Sequence, residues 1–421
     1  MHNLEVSQTV PRGVTPLASQ PPAAGISGPR QLLFAAAVGI IVINLFATQT
    51  LIGPISAALG LSQRQIGLIA MLPQLGYAAG LILLVPLADL IENRLLIVRL
   101  LTGCAVALAT AMLAPSGWVF LLAIFLAGAA SSAIQMMVPL AALMASEAHR
   151  GRVVGNVMSG LMLGILLSRP LSNLLLDSGG WRVLYGVLAA SVALVAVTLN
   201  RTLPLRRPAA GLSYPALIGS LWCLVRSQPV LRQRASTAAL CMATFSAFWT
   251  AIALRLAQQP FHMSQRQIAV FALAGAAGAV IAPLAGRAGD RGWTRPATVL
   301  SHLCMIVALL LAGVAGAGWG GFAAAAHPSL ALGLLVLAAV GLDAGITGDQ
   351  TLGRRAINML PPELRGRLNG LFVGIFFIGG ACGAAGAALA WVAGGWSAVC
   401  LFAIGLAAVA LAAHAITAFR S

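Results

Sequence analysis

Two ionisable side chains fall inside long apolar stretches of this sequence, where they could carry charge or protons. Asp343 lies in the stretch 329–352 and Arg169 in the stretch 153–176. An ionisable group at membrane depth is costly and commonly belongs to an ion or substrate pathway. Because burial penalises its ionised form, Asp343 could bind and release a proton, or it could be a structural carboxylate paired with an Arg. Arg169 could attract an anion, pair with Asp343, or hold the backbone that Pro170 interrupts.

Polar and aromatic side chains in similar stretches are further candidates for a solute pathway. A lone Gln or Trp in a membrane helix often only joins neighbouring helices, so each of them could instead be structural. Gln135 and Gln350 stand out because they occupy equivalent places in an internal sequence repeat. The predicted pathway set is Asn44, Gln49, Gln135, Arg169, Phe248, Trp249, Asp343 and Gln350, with Asp343 as the proton-coupling residue.

Three other ionisable residues in apolar stretches are interpreted as structural or peripheral. His302 and His414 lie in stretches expected at the periphery of the molecule and are interpreted as structural. Asp349 lies nearer the end of its stretch than Asp343, close in sequence to Arg354 and Arg355. A solvated ion pair with these arginines is at least as good an interpretation of Asp349 as a role in transport.

The composition indicates that the apolar stretches are membrane spans. Hydrophobic residues make up 60% of the chain and charged residues 8%, whereas soluble domains are about 25% charged. A helix that crosses a bilayer needs about 20 apolar residues. We therefore predict an all-α polytopic membrane protein with 12 transmembrane helices, called spans 1 to 12, at 32–56, 66–88, 95–115, 118–144, 153–176, 183–203, 236–257, 267–288, 297–317, 329–352, 367–391 and 396–418.

The distribution of arginine predicts the orientation of these spans. All 25 basic residues are Arg, against nine acids, and the net charge is +16. If both termini are cytoplasmic, 20 Arg lie inside, four lie outside and Arg169 lies within span 5. Such a bias favours cytoplasmic termini. A nucleic-acid partner is not expected, because these charges are scattered between apolar stretches and form no continuous basic face; the expected partner is the lipid bilayer.

The sequence repeats itself after six spans. The segment Ser62–Ile66 recurs as Ser264–Ile268, and in each copy Ser stands three residues before Gln, the spacing of a capping box at a helix start. Later matches follow in the same order, with offsets of 201 to 215 residues: Asp89 with Asp290, Gln135 with Gln350, Arg150-Gly151-Arg152 with Arg365-Gly366-Arg367, and Gly179-Gly180-Trp181 with Gly394-Gly395-Trp396. We infer two six-helix pseudo-repeats in the same orientation.

The repeat defines the predicted domains. Residues 30–203 form the first six-helix bundle and residues 236–421 the second. Between them, the Arg- and Pro-rich segment 204–235 is predicted to be a central cytoplasmic loop. Residues 1–29 are rich in Pro, Ser and Gly, too polar for a signal peptide, and are expected to be a disordered cytoplasmic tail.

A duplicated six-helix unit is typical of alternating-access transporters, and the sequence resembles the major facilitator superfamily from about residue 30 onward. Within it, the chain is similar to bacterial efflux permeases of the arabinose-efflux type. The residues that carry this closer likeness are Asn44-Leu45 through Gln49, Pro86-Leu87-Ala88-Asp89, Arg150-Gly151-Arg152, Phe248-Trp249-Thr250 and Leu342-Asp343.

The resemblance implies a major facilitator fold in which spans 1, 4, 7 and 10 line a central pathway. It implies a monomeric secondary transporter of the bacterial inner membrane that exports a small organic solute by antiport against the proton gradient. Uptake symport, or facilitated diffusion of a sugar-like or organic-acid solute, is the alternative. Drug–proton antiporters of the superfamily carry an Arg where this chain has Ile124, and a Gly-Pro pair where it has Arg169-Pro170, so their mechanism is not carried over.

Charges at the predicted cytoplasmic ends of the spans suggest a gate. The superfamily signature after span 2 reads Val85-Pro86-Leu87-Ala88-Asp89 here and keeps the Asp. A carboxylate at a helix C-terminus faces the negative end of the helix dipole and favours a partner elsewhere. We expect Asp89 to pair with the start of span 11 and Asp290 with the start of span 5 when the cytoplasmic side is closed. The gate residues are Asp89, Arg94, Arg150, Arg152, Asp290, Arg291, Arg365 and Arg367.

Other functional classes fit the sequence less well. No phosphate-binding loop of the Walker type can exist in a chain without Lys, so ATP-driven transport by this chain alone is excluded. A membrane enzyme would need a cluster of catalytic groups, and the nine acids are scattered. A transporter-like receptor is a distant alternative. The six Cys form no metal-binding motif, and we predict neither a metal nor another cofactor.

Overall fold

The fold is described from a computed structural model that covers residues 27–62, 65–146, 149–205, 213–361 and 364–419. Within these ranges the regular elements are α-helices and short 3₁₀ turns. Most of the predicted tail, together with Arg206 and Arg207 of the central segment, lies outside the described residues. Gly28 and Pro29, assigned to the tail by the sequence, begin span 1 instead.

The membrane spans agree with the predicted ones to within a few residues at most ends. Spans 1 to 10 are Gly28–Thr50, Ile66–Asp89, Asn93–Met112, Gly117–Met144, Arg150–Gly179, Trp181–Thr202, Pro229–Ala257, Gln265–Asp290, Thr294–Ala317 and Pro328–Asn358. The final helix, Arg365–Phe419, contains spans 11 and 12. It is interrupted at Gly395, whose φ of 61° suits glycine, so the described chain has 12 spans.

Three boundaries differ from the prediction by six or seven residues, and one of them is the end of span 10, which lies at Asn358 and not at 352. Span 1 ends in a 3₁₀ turn at Ala47–Thr50, and a short helix, Ile52–Leu59, follows it to the αL residue Gly60. Span 7 begins at Pro229, seven residues before the predicted start. Proline suits the first helical position because its fixed φ is helical and it has no N–H to leave unpaired.

Part of the predicted central loop is a helix, Tyr214–Ser227, called here the connecting helix. Its buried residues Leu217, Leu221 and Leu224 lie at spacings of four and three and form one face. It is bonded to both halves of the molecule. The hydroxyl of Tyr214 donates to the carbonyl of Leu83 at the end of span 2 (2.8 Å), and Arg367 in span 11 donates to the hydroxyl of Ser220 (3.3 Å).

The packing follows the repeat. In the first half span 1 packs on span 5, span 2 on span 4, and span 3 on span 6; in the second half span 7 packs on span 11, span 8 on span 10, and span 9 on span 12. Each pair in one half therefore has its counterpart six spans later. The halves meet where span 2 packs on span 11 and span 5 on span 8.

Glycines allow equivalent helix pairs to approach closely. A Cβ added to Gly164 of span 5 would lie 2.7 Å from the Cα of Gly39 in span 1, and one added to Gly39 would lie 2.8 Å from the carbonyl oxygen of Gly160. In the second half, Gly379 and Gly383 of span 11 lie equally close to the backbone of span 7. Small residues at such crossings let helix backbones pack in lipid.

The predicted capping box is confirmed at the second repeat. Ser264 accepts from the N–H of Gln267 (3.4 Å), and the Gln267 side chain accepts from the N–H of Ser264 (2.8 Å). At the first repeat one of these two bonds is present among the described contacts: the Gln65 side chain accepts from the N–H of Ser62 (2.9 Å).

Gly164→Ala should lower the stability of the protein, because the new methyl group would clash with the backbone of span 1. Overpacking of this kind costs about 1–3 kcal/mol. The matched control is Gly155→Ala in the same helix, where an added Cβ meets nothing within 4 Å. Melting temperatures of the purified variants in detergent test this, and equal stability of the two would contradict it.

Candidate functional site

A buried cluster between the two halves contains both ionisable residues singled out by the sequence. Asp343 lies 15 residues from either end of span 10 and is 6% exposed. Its Oδ1 accepts a hydrogen bond from the indole Nε1 of Trp249 in span 7 (3.0 Å). The guanidinium carbon of Arg169, in span 5 of the first half, lies 4.2 Å from the centre of the same indole ring. Trp249 therefore joins the carboxylate of one half to the cation of the other.

Aromatic rings surround the Arg169 guanidinium. Its carbon lies 5.3 Å from the ring centre of Phe245 and 5.8 Å from that of Phe46, distances at which the ring faces attract a cation. One Nη donates to Oε1 of Gln49 (3.3 Å). The side chain is only 2% exposed, and its Nε has no hydrogen-bond partner within the described chain.

Arg169 and Asp343 lie beside the same glycine without forming a direct ion pair. No ion pair of the described residues with an N···O distance of 4.0 Å or less includes either side chain. Both side chains nevertheless pack against Gly275 of span 8, where an added Cβ would lie 2.8 Å from Oδ2 of Asp343 and 3.8 Å from Nη1 of Arg169. Gly275 thus leaves room for both charged groups.

The backbone around Pro170 does not depend on the Arg169 side chain. The hydroxyls of Ser168 and Ser172 donate to carbonyls of Ile165 and Ser168, and Asn173 donates to the carbonyl of Arg169. Such local bonds bring polar side chains to carbonyls near the proline. The guanidinium instead contacts Gln49 of its own half and the rings of Phe245 and Trp249 in the other.

A cavity of about 950 Å³ lies between the halves at one end of the molecule. That end, called here the arginine-rich end, contains Gly28, Asp89, Arg150, Asp290 and Arg365. Spans 2, 4 and 5, the end of span 10, the start of span 11 and the connecting helix provide the wall. Cavities of this size hold drug-sized molecules.

A layer of aromatic and amide groups links the halves next to the buried cluster. The rings of Tyr77 in span 2 and Phe377 in span 11 are 4.6 Å apart, and Phe46 lies 6.2 Å from Phe377. Ser246 of span 7 donates to Oε1 of Gln74 in span 2 (3.2 Å). Gln135, which lines the cavity, donates to the hydroxyl of Tyr77 (3.1 Å), so this layer lies directly behind the cavity wall.

The halves are also joined at the opposite, arginine-poor end. Nε of Arg266 at the start of span 8 lies 2.8 Å from Oδ2 of Asp177 near the end of span 5. The sequence assigned neither residue to the pathway or gate. The structure is therefore open at the arginine-rich end and linked across the halves at its centre and at the arginine-poor end.

The predicted gate pairs are not formed in this open arrangement. Asp290 binds Arg355 of span 10 (3.1 Å), within its own half, and not the start of span 5. Asp89 and Arg365 line the same cavity, and no ion pair between them is among those of the described residues. The prediction concerns the state closed at this end and stays a prediction.

The remaining gate candidates lie apart from one another. Arg94 donates to Asn200 and Arg150 to the carbonyl of Ala142, both within the first half. Arg152 lines a separate groove beside span 1. Arg367 lines the central cavity and bonds to the connecting helix. Arg291 is exposed just after span 8.

Three other pathway candidates lie away from the central cavity. Asn44 donates to the hydroxyl of Ser131 (2.9 Å) and is buried in the first half. Phe248 packs on Trp396, with ring centres 5.6 Å apart, inside the second half. Gln350 is half-buried and does not contribute to the cavity wall, whereas its repeat counterpart Gln135 does. Interhelical packing describes Asn44 and Phe248 best.

Asp349 and His302 form a buried pair that differs from the sequence interpretation. Nε2 of His302 lies 3.1 Å from Oδ1 of Asp349, and both side chains are at most 2% exposed. The expected solvated pairing of Asp349 with Arg354 or Arg355 is therefore wrong. One donor atom each from Cys241, His302 and Asp349 lie within 4.8 Å of one another. The fold thus brings together groups from spans 7, 9 and 10 that no sequence spacing connected.

The sequence matches one known protein family over most of its length. The sequence model of the Major Facilitator Superfamily matches residues 32–357. The chain belongs to this superfamily. It is 38% identical over 370 residues to a putative uncharacterized transporter, YgaY, of Escherichia coli K12, covering 88% of this chain and 91% of that protein.

Solved structures of other superfamily members share the fold. A POT family transporter in complex with 5-aminolevulinic acid matches with a TM-score of 0.72 and 14% identity, over 95% of this chain and 98% of that one. A bacterial homologue of the human lysosomal transporter Spinster, inward-facing and occupied, matches with a TM-score of 0.69 and 16% identity, over 93% and 96% of the chains. The protein is therefore a multi-pass membrane transporter with the major facilitator fold.

His302→Phe should destabilise the protein strongly, because it leaves the Asp349 carboxylate buried without its partner. A buried polar group that loses its hydrogen-bond partner typically costs about 1–3 kcal/mol, and more when it is charged. The double variant His302→Phe/Asp349→Leu removes both polar groups and should recover much of the loss. Thermal melting in detergent measures this, and a single variant as stable as the wild type would contradict the assignment.

Asp177→Asn should favour opening at the arginine-poor end, but only modestly. The pair is solvent-exposed, with side-chain exposures of 77% for Arg266 and 39% for Asp177, and such pairs contribute about 0–1 kcal/mol. The reporter is Thr250→Cys, on the arginine-poor side, in a background that lacks Cys223 and Cys382. Its rate of reaction with an impermeant maleimide measures opening at this end. We expect Asp177→Asn to raise that rate by at most about fivefold.

The control for this experiment is Arg182→Gln, which removes a charge at the same end. Arg182 donates to the carbonyls of Met112 and Ala114 and lies over the Trp181 ring, contacts that are all within the first half. It should leave labelling unchanged, and the exchange Asp177→Arg/Arg266→Asp should restore the wild-type rate. Equal effects of Asp177→Asn and Arg182→Gln would show that the pair does not hold this end closed.

Proposed function

We propose that this protein is a proton-coupled secondary transporter that exports a small organic solute by alternating access. The solute enters the cavity at the arginine-rich end, the halves rearrange, and it leaves at the arginine-poor end in exchange for a proton. The observation that carries the proposal is the position of Asp343, a carboxyl buried at the boundary between the halves and linked through Trp249 to Arg169.

The cluster supplies a reason for coupling. When Asp343 is ionised, its charge compensates Arg169 of the opposite half across the Trp249 ring. Protonation removes that compensation, so the attraction between the halves weakens and the arrangement linked at the centre becomes less favourable. A ligand or proton shifts a conformational equilibrium only through such differential interaction with the two states.

We place the protein in the bacterial inner membrane as a monomer, with both termini in the cytoplasm. The arginine bias supports this orientation, since the cavity then opens to the compartment from which an exported solute would come. Uptake symport or facilitated diffusion uses the same architecture and remains the alternative, distinguished by the direction of solute movement relative to an imposed pH gradient.

Proteoliposomes with an internal pH-sensitive dye provide the test. A panel of organic acids, amines, sugars and neutral aromatics is added under an imposed pH gradient. Wild-type protein should move protons in response to at least one solute, and Asp343→Asn should abolish that movement while leaving solute exchange without a gradient. Solute-linked proton movement that persists in Asp343→Asn would remove this residue from the coupling role.

Two variants separate coupling from folding. Asp343→Asn leaves Arg169 buried without a counter-charge, so Arg169→Gln/Asp343→Asn, which neutralises both groups, should be more stable yet equally uncoupled. Trp249→Phe removes the indole donor and keeps the carboxyl, so it should retain proton movement at a reduced rate. Coupling that survives in the double variant would contradict the proposal.

A further inference from the structure

The central cavity is strongly asymmetric in charge. Arg354, Arg365 and Arg367 contribute to its wall, whereas Asp89 is its single acid among the described residues. Asp89 is exposed at the outer rim. The compartment therefore has a positive potential, which attracts anions and repels cations.

Apart from these charges the wall is largely apolar. Most of the surface comes from aliphatic side chains of spans 2, 4, 5 and 11, with a few neutral amides such as Gln135 and Asn358. The principal apolar residues are Leu81, Ile82, Ile134, Met136, Leu161 and Val373. A solute that fits this wall has an apolar body and an acidic group.

Arg354 is the arginine best placed to bind the acidic group. Its Nε is buried and has no hydrogen-bond acceptor within the described part of the chain, so one donor is left unsatisfied, which is costly. The neighbouring Arg355 faces the other way and binds Asp290. Arg354 thus lines the cavity, and no carboxylate pairs with its guanidinium among the described ion pairs.

Arg169 provides a second cation farther along the same route. It lies eight residues beyond Leu161, the last of the three span 5 residues that line the cavity, or about 12 Å along the helix. Its Nε also has no acceptor among the described residues. Because Arg169 and its aromatic neighbours Phe245 and Trp249 belong to opposite halves, rearrangement of the halves would expose this guanidinium to the pathway.

We propose that the transported solute is an amphipathic organic anion whose carboxylate is bound by Arg354. Guanidinium and carboxylate pair through two parallel hydrogen bonds, and the apolar part of the solute packs on spans 2, 4 and 11. The inference rests on the proposed function in one respect: the cavity is taken as the compartment that receives the solute.

Binding to the purified protein in detergent tests this without transport or a pH gradient. The probes are 4-phenylbutyrate, 4-phenylbutan-1-ol and 4-phenylbutylamine, which share one apolar body and differ in charge. The butyrate should raise the melting temperature in a saturable way, and the alcohol and the amine should not. Arg354→Gln should weaken butyrate binding about tenfold or more, and Arg354→Lys should retain part of it.

The control is Arg201→Gln, which removes an exposed charge at the arginine-rich end of span 6, away from the cavity wall. It should bind the butyrate as the wild type does. Melting of each variant without a probe verifies folding. The proposal is overturned if the amine or the alcohol stabilises the protein as much as the butyrate does. It is also overturned if the butyrate has no effect, or if Arg354→Gln binds it as tightly as the wild type. Since none of these readouts involves protons, failure of the Asp343 experiment leaves them intact.

Discussion

A charge inside the hydrocarbon core of a bilayer must be compensated by the protein, because the lipid cannot solvate it. This chain meets the constraint by dividing the compensating groups between its two halves. Arg169 belongs to the first half, whereas Asp343 and the Trp249 ring between them belong to the second. Moving the halves apart therefore changes the electrostatic balance of both charged groups, and any event that neutralises one of them alters how strongly the halves hold together.

The contacts between the halves are distributed unevenly along the molecule. The Tyr77–Phe377 contact, the Gln74–Ser246 hydrogen bond and the Asp177–Arg266 pair join them at the centre and at the arginine-poor end. The arginine-rich end instead surrounds a cavity. The buried contacts at the centre dominate this asymmetry, since an exposed ion pair contributes little. A solute in the cavity would meet an aromatic layer before it reached the charged cluster.

The spans and their repeat were predictable from the sequence because length, apolar content and recurring segments each constrain them directly. The depth of Asp343 was predictable for the same reason. The direction in which a side chain points was not: these helices are apolar on nearly every side, so periodicity does not show which face is inward. Asn44 therefore turned out to bind Ser131 inside one half, and Arg354 faces the cavity while Arg355 does not. The Asp349–His302 and Asp177–Arg266 pairs, 47 and 89 residues apart in sequence, required the tertiary fold.

The connecting helix has a geometric consequence for the motion of the halves. Fourteen residues of helix form a rod about 21 Å long, and one hydrogen bond attaches it to span 2 while another attaches it to span 11. The two attachment points, Tyr214 and Ser220, are six residues apart, so about 9 Å of helix separates them. The connecting helix thus reaches one span of each half beside the mouth of the cavity, and a rearrangement that moves Leu83 away from Arg367 must be absorbed by these two side chains or break one of the bonds.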